Sequence, residues 1–268
     1  MKKLNAHDHL WDVGDNTVEL LLHKMDQLEI EATCITYGGR HLFQAYDCNE
    51  LVEKAFKEHP DRLLGMGFVH LGVDGADKVR ELKDRGFVGL KIICPAIPYN
   101  DERAFPIYFE AEKLKMPCLF HLGPVSTKKT VPRPRFSVDS NRMRAGMLDL
   151  VARECPELPI IGAHMGWIDH NEAWALARMH SNIYLDTSGN GLLRNQSREF
   201  FENNILGWEQ TFTKFIFGTD QYYSTWDDVV LTVTNMLEKT WQVDDETKEK
   251  IFYGNLANIL RWAGVSNY

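Results

Sequence analysis

Phe87-Val88-Gly89-Leu90-Lys91-Ile92-Ile93 is a continuous apolar run broken only by Gly89 and Lys91. A strand with one wet face alternates apolar and polar residues. One that is apolar on both faces must be covered on both sides, as in a parallel sheet under helices. The flanks agree: residues 73–84 and 101–115 carry helical periodicity. Working outward, short strands are predicted at 31–37, 63–70, 117–122, 158–164, 182–187 and 214–220, with a further one at the start of the chain. Helical segments lie between them, among them 47–59 and a face made by Leu148, Val151, Ala152 and Cys155. Strands alternating with helices make parallel sheets, and such units over roughly 250 residues fit a closed (β/α)8 TIM barrel. The reading is α/β, one domain over residues 1–268. An open doubly wound sheet is the alternative, because strand order is not visible in one sequence.

Composition narrows the function. With 30 basic against 38 acidic residues, a net charge of −8 and no long basic run, nucleic acid is not an expected partner. Five cysteines without regular spacing do not make a disulfide framework, and Cys34, Cys94 and Cys118 sit inside apolar runs. No stretch approaches the ~20 apolar residues of a membrane span. A cytoplasmic protein acting on a small molecule is expected.

Polar residues collect where a parallel barrel delivers the C-terminal ends of its strands. Ala6-His7-Asp8-His9-Leu10-Trp11 places two histidines at i and i+2, on one face of a strand. Neutral imidazole is a common zinc donor, and two donors on one stiff strand form half a metal site. Lys91 stands on the fourth strand, His121 on the fifth, His164 on the sixth and Asp220 on the eighth. Singly, each has a plainer explanation: a hydrogen-bonded core histidine, an internal ion pair, a capping aspartate. Together, four histidines and an aspartate at one end of apolar strands point to a metal. His70 is a candidate supporting group. His23, His41, His59, His170 and His180 are expected in solvent.

Several motifs in order resemble the amidohydrolase superfamily, in its amidohydrolase-related (amidohydrolase 2) branch of lactonases, small hydrolases and non-oxidative decarboxylases. They are Ala-His7-Asp-His9-Leu-Trp, Gly-Phe-Val-Gly-Leu-Lys91-Ile, Phe-His121-Leu-Gly, Gly-Ala-His164-Met-Gly, Phe217-Gly-Thr-Asp220 and Tyr253-Gly-Asn-Leu-Ala-Asn258. The resemblance implies that His7, His9, His121 and Asp220 bind one divalent metal, most often zinc, with manganese the alternative. It implies His164 beside that metal as acid/base or polarising group. Lys91 is not assigned as a metal ligand; it is read as orienting a carboxylate or a ligand. Before His7 stands Leu4-Asn5, where relatives often carry an acidic residue.

The expected chemistry is hydrolysis of a small lactone, ester or amide bearing a carboxylate or hydroxyl groups. Metal-activated water would attack, with Asp220 as general base. Lys91, Trp11, Trp167, Arg133, Arg135 and Tyr222 are the candidate substrate-binding residues. Non-oxidative decarboxylation of a small, possibly aromatic acid on the same ligands is the alternative, and a non-catalytic binding barrel is a third. Residues 123–139 form a long irregular stretch suited to a lid. A homodimer is expected from the resemblance.

Overall fold

A computed structural model of the chain describes residues 1–10, 17–38, 48–125, 138–189, 193–208 and 210–268. Eight strands lie in one sheet in chain order: β1 Lys3–Leu10, β2 Ile30–Tyr37, β3 Leu63–Phe68, β4 Gly89–Ile92, β5 Cys118–Phe120, β6 Ile160–Gly162, β7 Ile183–Asp186 and β8 Phe215–Ile216. Every pairing between neighbours is parallel. Beyond its two residues, β8 is continued to β1 by backbone bonds from Ala6 N to Phe217 O (2.9 Å) and from Thr219 N and Asp220 N to His7 O (3.1 and 2.9 Å). The result is a nearly closed barrel, as the alternating pattern predicts. The open-sheet alternative does not describe it.

The two faces of the strands feed two cores. Leu90 and Ile92 of β4, with Ile35, Phe120, Ile160, Leu185 and Phe217, point outward against helices through Val79, Leu82, Tyr108 and Val151. Leu4, Ala6, Ala32, Cys34, Leu64, Met66, Leu119, Ile161 and Ile216 point inward, where Leu256 and Leu260 of the helix Asn255–Trp262 pack on them. Gly89 and Lys91, the two breaks in the apolar run, are therefore the inward positions of β4. Gly89 is small because Met66 fills the space: an added Cβ would lie 2.7 Å from its sulfur and from Pro117 O.

The strands are shorter than the apolar runs predict, because the last residues of each run leave the sheet to build the site. His121 lies just past β5, His164 past β6 and Asp220 past β8. β1 carries two irregularities of its own, the first between Lys3 and Leu4. Between Asn5 and Asp8 it advances three residues while β2 advances two, from Thr33 to Ile35. A bulge of this kind re-aims side chains. Leu4 and Ala6 face the inner core below it, and above it His7 and His9 take over the inward face while Asp8 turns to Thr219. No helix among the described residues is long and apolar enough to cross a membrane.

Candidate active site

The upper end of the barrel gathers the polar residues. His7 is fully buried, its Nδ1 2.9 Å from Asp186 Oδ2 and its Nε2 2.7 Å from Lys91 Nζ. His9 Nε2 lies 3.0 Å from Asp220 Oδ1, and its Nδ1 is 3.1 Å from Tyr37 O. Asp220 Oδ1 is 3.9 Å from His7 Nε2, and Oδ2 is 3.6 Å from His164 Nε2. Asn5 ties β1 to this aspartate: its Oδ1 accepts from Thr219 N (3.1 Å) and His7 N (3.2 Å), and its Nδ2 donates to Thr219 Oγ1 (2.7 Å). Thr219 Oγ1 in turn donates to Asp8 Oδ2.

Asp186 and Ser188, at and just past the end of β7, support the imidazoles. Asp186 Oδ1 accepts from the backbone N–H of His164 and of Ser188, both at 2.9 Å, and from the Ser188 hydroxyl. Ser188 Oγ also touches His164 Nδ1 (2.9 Å) and His7 Nδ1 (3.1 Å). Arg194 holds this segment from behind, donating to Thr187 O and Gly189 O at 2.7 Å. A carboxylate behind a histidine fixes ring orientation and raises donor strength.

The backbone around the site is unusual where it must be. His164 (φ 63°), Met165 (φ 54°), Gly166 (φ 86°) and Trp167 (φ 42°) are consecutive left-handed residues, and Asp220 (φ 46°) is another. Such conformations are costly for non-glycine residues and cluster at functional sites. Gly189 (φ 98°) has no room for a side chain, since a Cβ would lie 2.8 Å from His164 Nδ1. The turn brings His164 Nε2 to 3.1 Å from His121 Nδ1. His121 Nε2 is buried with no hydrogen-bond partner among the described residues.

Burial pushes the His7 imidazole down to about 4, with Lys91 adding to the effect against the pull of Asp220 and Asp186. Burial also lowers His121 and His164. Burial opposes ionisation of Asp220 and Asp186, yet the surrounding imidazoles and hydrogen bonds outweigh it and hold both well below the usual carboxylate range. Asp8 goes the other way: burial, reinforced by Asp220 and opposed by the bond from Thr219, holds it well above that range. Lys91 is lowered by burial to about 8, with Asp220 and Asp186 opposing.

These shifts set a stability profile. Between pH 6.5 and about 4 the unfolded chain takes up a proton that folded His7 refuses. Stability rises with pH wherever the unfolded state binds more protons, so it falls as pH drops through this window. His7 alone accounts for about 3 kcal/mol. Urea unfolding of metal-free protein from pH 7 to pH 4 checks this; a flat profile would mean that the imidazoles are not held neutral.

His7, His164 and Asp220 each bring a donor atom within 4.8 Å of the others. Two imidazoles, one carboxylate and the unpartnered His121 Nε2 suit a divalent ion. A family model described as amidohydrolase matches residues 16–262. The chain belongs to the amidohydrolase family. Among curated proteins no sequence matches. Solved structures with the same fold include a TIM-barrel protein from Bordetella bronchiseptica (17% identity, TM-score 0.75, 98% of this chain and 100% of that one). A probable 2-pyrone-4,6-dicarboxylic acid hydrolase from Acinetobacter baumannii follows (16%, TM-score 0.69, 97% and 100%). So does 2,6-dihydroxybenzoate decarboxylase from Rhizobium (20%, TM-score 0.65, 97% and 99%). At these identities the likeness is one of fold.

In this amidohydrolase the predicted residues His7, His9, His121, His164, Asp220 and Lys91 all meet at the barrel top. The tightest donor group contains His164, the residue read as acid/base, whereas His121 approaches through His164. Lys91 Nζ is bonded to the His7 imidazole. Trp167 lies edge-on to His164, with centroids 6.1 Å apart, and Tyr222 is exposed at the rim. Trp11, Arg133 and Arg135, with most of the stretch 123–139, lie outside the described residues. Two histidines expected in solvent are packed: His180 Nε2 is 2.7 Å from Asp149, and His170 sits against Trp174 and Phe200. Asp186, Ser188 and Arg194 escaped the sequence reading, although Asp186 ends the seventh strand as the other site residues end theirs.

Proposed function

We propose that the protein is a metal-dependent hydrolase of small lactones, esters or amides that carry a carboxylate or hydroxyl groups. One observation carries this reading: His7, His164 and Asp220 bring donor atoms within 4.8 Å of one another, beside the unpartnered His121 Nε2. Burial lowers the three imidazoles, which suits them to act as neutral donors. His7, His9, His121 and Asp220 would hold the ion, with His164 at its side. When bound, a divalent ion supplies positive charge and acidifies water toward a pKa of ~7. Asp220 accepts the proton through the oxygen not committed to His9 and passes it to the leaving group. His164 Nε2 stands across from Asp220 Oδ2 at 3.6 Å, a neutral base at the edge of the site.

The second reading is non-oxidative decarboxylation, favoured by one group. The buried Lys91 ammonium, beside His7, is the cation best placed to hold a substrate carboxylate. Zinc- and manganese-loaded protein is to be screened against lactones, esters and hydroxybenzoic acids in 18O-labelled water. Label in a carboxylate product, lost on chelation, is the expected result. Carbon dioxide release without label incorporation would overturn hydrolysis in favour of decarboxylation. No metal bound after reconstitution would exclude both.

A further inference from the structure

The Ser188 hydroxyl has one proton and three polar neighbours: Asp186 Oδ1, His7 Nδ1 and His164 Nδ1. An ionised carboxylate has no proton to give, so the hydroxyl donates to Asp186 and accepts from both rings. His7 and His164 then carry their protons on Nδ1. With Nδ1 protonated, His164 Nε2 is bare and accepts from His121 Nδ1 at 3.1 Å, which leaves His121 protonated on Nδ1 and bare on Nε2. That last atom is the one buried without a partner. The opposite assignment would put a proton there, leaving an N–H donor in a buried place without an acceptor, at a cost of about 1–3 kcal/mol. Lys91 gives an independent check. Its ammonium only donates, so the His7 Nε2 that it touches at 2.7 Å must be bare.

We propose that Ser188 is a positioning residue that sets two tautomers of the site, acting on His164 directly and on His121 through it, so that His121 Nε2 is unprotonated together with His7 Nε2, whose ring Asp186 holds. The metal-binding reading enters only in what those bare nitrogens are for. The tautomers themselves belong to the metal-free protein, so a failure to bind metal would sink the proposed function and leave this inference standing.

Long-range 1H–15N correlation spectra of metal-free, histidine-labelled protein test it. In the wild type all three rings should show a protonated-type Nδ1 and a bare-type Nε2. In Ser188→Ala either tautomer leaves one buried N–H without an acceptor, so His164 and His121 should both show mixed signatures, while His7, still bonded to Asp186, keeps its own. Ser188→Thr, which retains the hydroxyl, should restore the wild-type pattern, and zinc affinity should fall about tenfold in the alanine variant alone. A wild-type spectrum with protonated Nε2 on His164 or His121 would overturn the proposal. So would an alanine variant in which both rings are unchanged. If Ser188→Ala does not fold, the wild-type spectrum alone decides.

Discussion

Asp220→Asn is expected to lower kcat by about 10²–10⁴-fold and to abolish stoichiometric metal binding, while the protein still folds. Asparagine keeps the shape of the side chain but has no charge and takes up no proton. It also tolerates the left-handed backbone found at this position, φ 46°. The bond from Asp220 N to His7 O, which helps to close the barrel, involves no side chain and survives. Circular dichroism and the thermal midpoint should therefore resemble the wild type, while metal content measured by mass spectrometry and turnover both collapse. Full metal occupancy with full turnover would remove Asp220 from the mechanism.

Asp186→Asn should do comparable damage by a different route. Asp186 Oδ1 is surrounded by donors, namely His164 N–H, Ser188 N–H and the Ser188 hydroxyl. The carbonyl oxygen of an asparagine must occupy that place, which turns its NH2 toward His7 Nδ1, now 2.9 Å from Oδ2. A donor there forces Nδ1 to accept, and the ring proton moves to Nε2. A protonated Nε2 cannot bind a metal and faces the Lys91 ammonium. Zinc affinity should drop by about 10–100-fold, measured by competition with a chromophoric chelator. Unchanged affinity would show that His7 is not oriented through Asp186.

The barrel was legible because burial on both faces of a strand leaves a mark on every residue, and the run from Phe87 to Ile93 carried it clearly. Its two blemishes, Gly89 and Lys91, turned out to be the inward positions. The site was legible wherever a polar group ends an apolar run: His121, His164 and Asp220. Asp186 obeys the same rule, but sits in Leu185-Asp186-Thr187-Ser188, where threonine and serine blur the end of the run. What local sequence does not encode is the contact between His164 and His121, which depends on four successive left-handed residues. The contact of Lys91 with His7 is set by barrel closure, which carries β1 across to β4. The packing of His170 and His180 depends on what the fold sets beside them, Trp174 and Phe200 for the one and Asp149 for the other.

The register of β1 against β2 shifts by one residue after Lys3 and shifts back between Asn5 and Asp8, which divides the strand into a lower and an upper length. The lower length, with Leu4 and Ala6, is keyed to the C-terminal helix on the barrel floor. The upper length, with His7 and His9, is keyed to the chemistry. The two register shifts of the strand cancel, so Lys3 and Asp8 pair with β2 at the same offset, while the stretch between them is displaced by one residue. That displacement lets one strand present Leu4 and Ala6 to the floor and His7 and His9 to the chemistry.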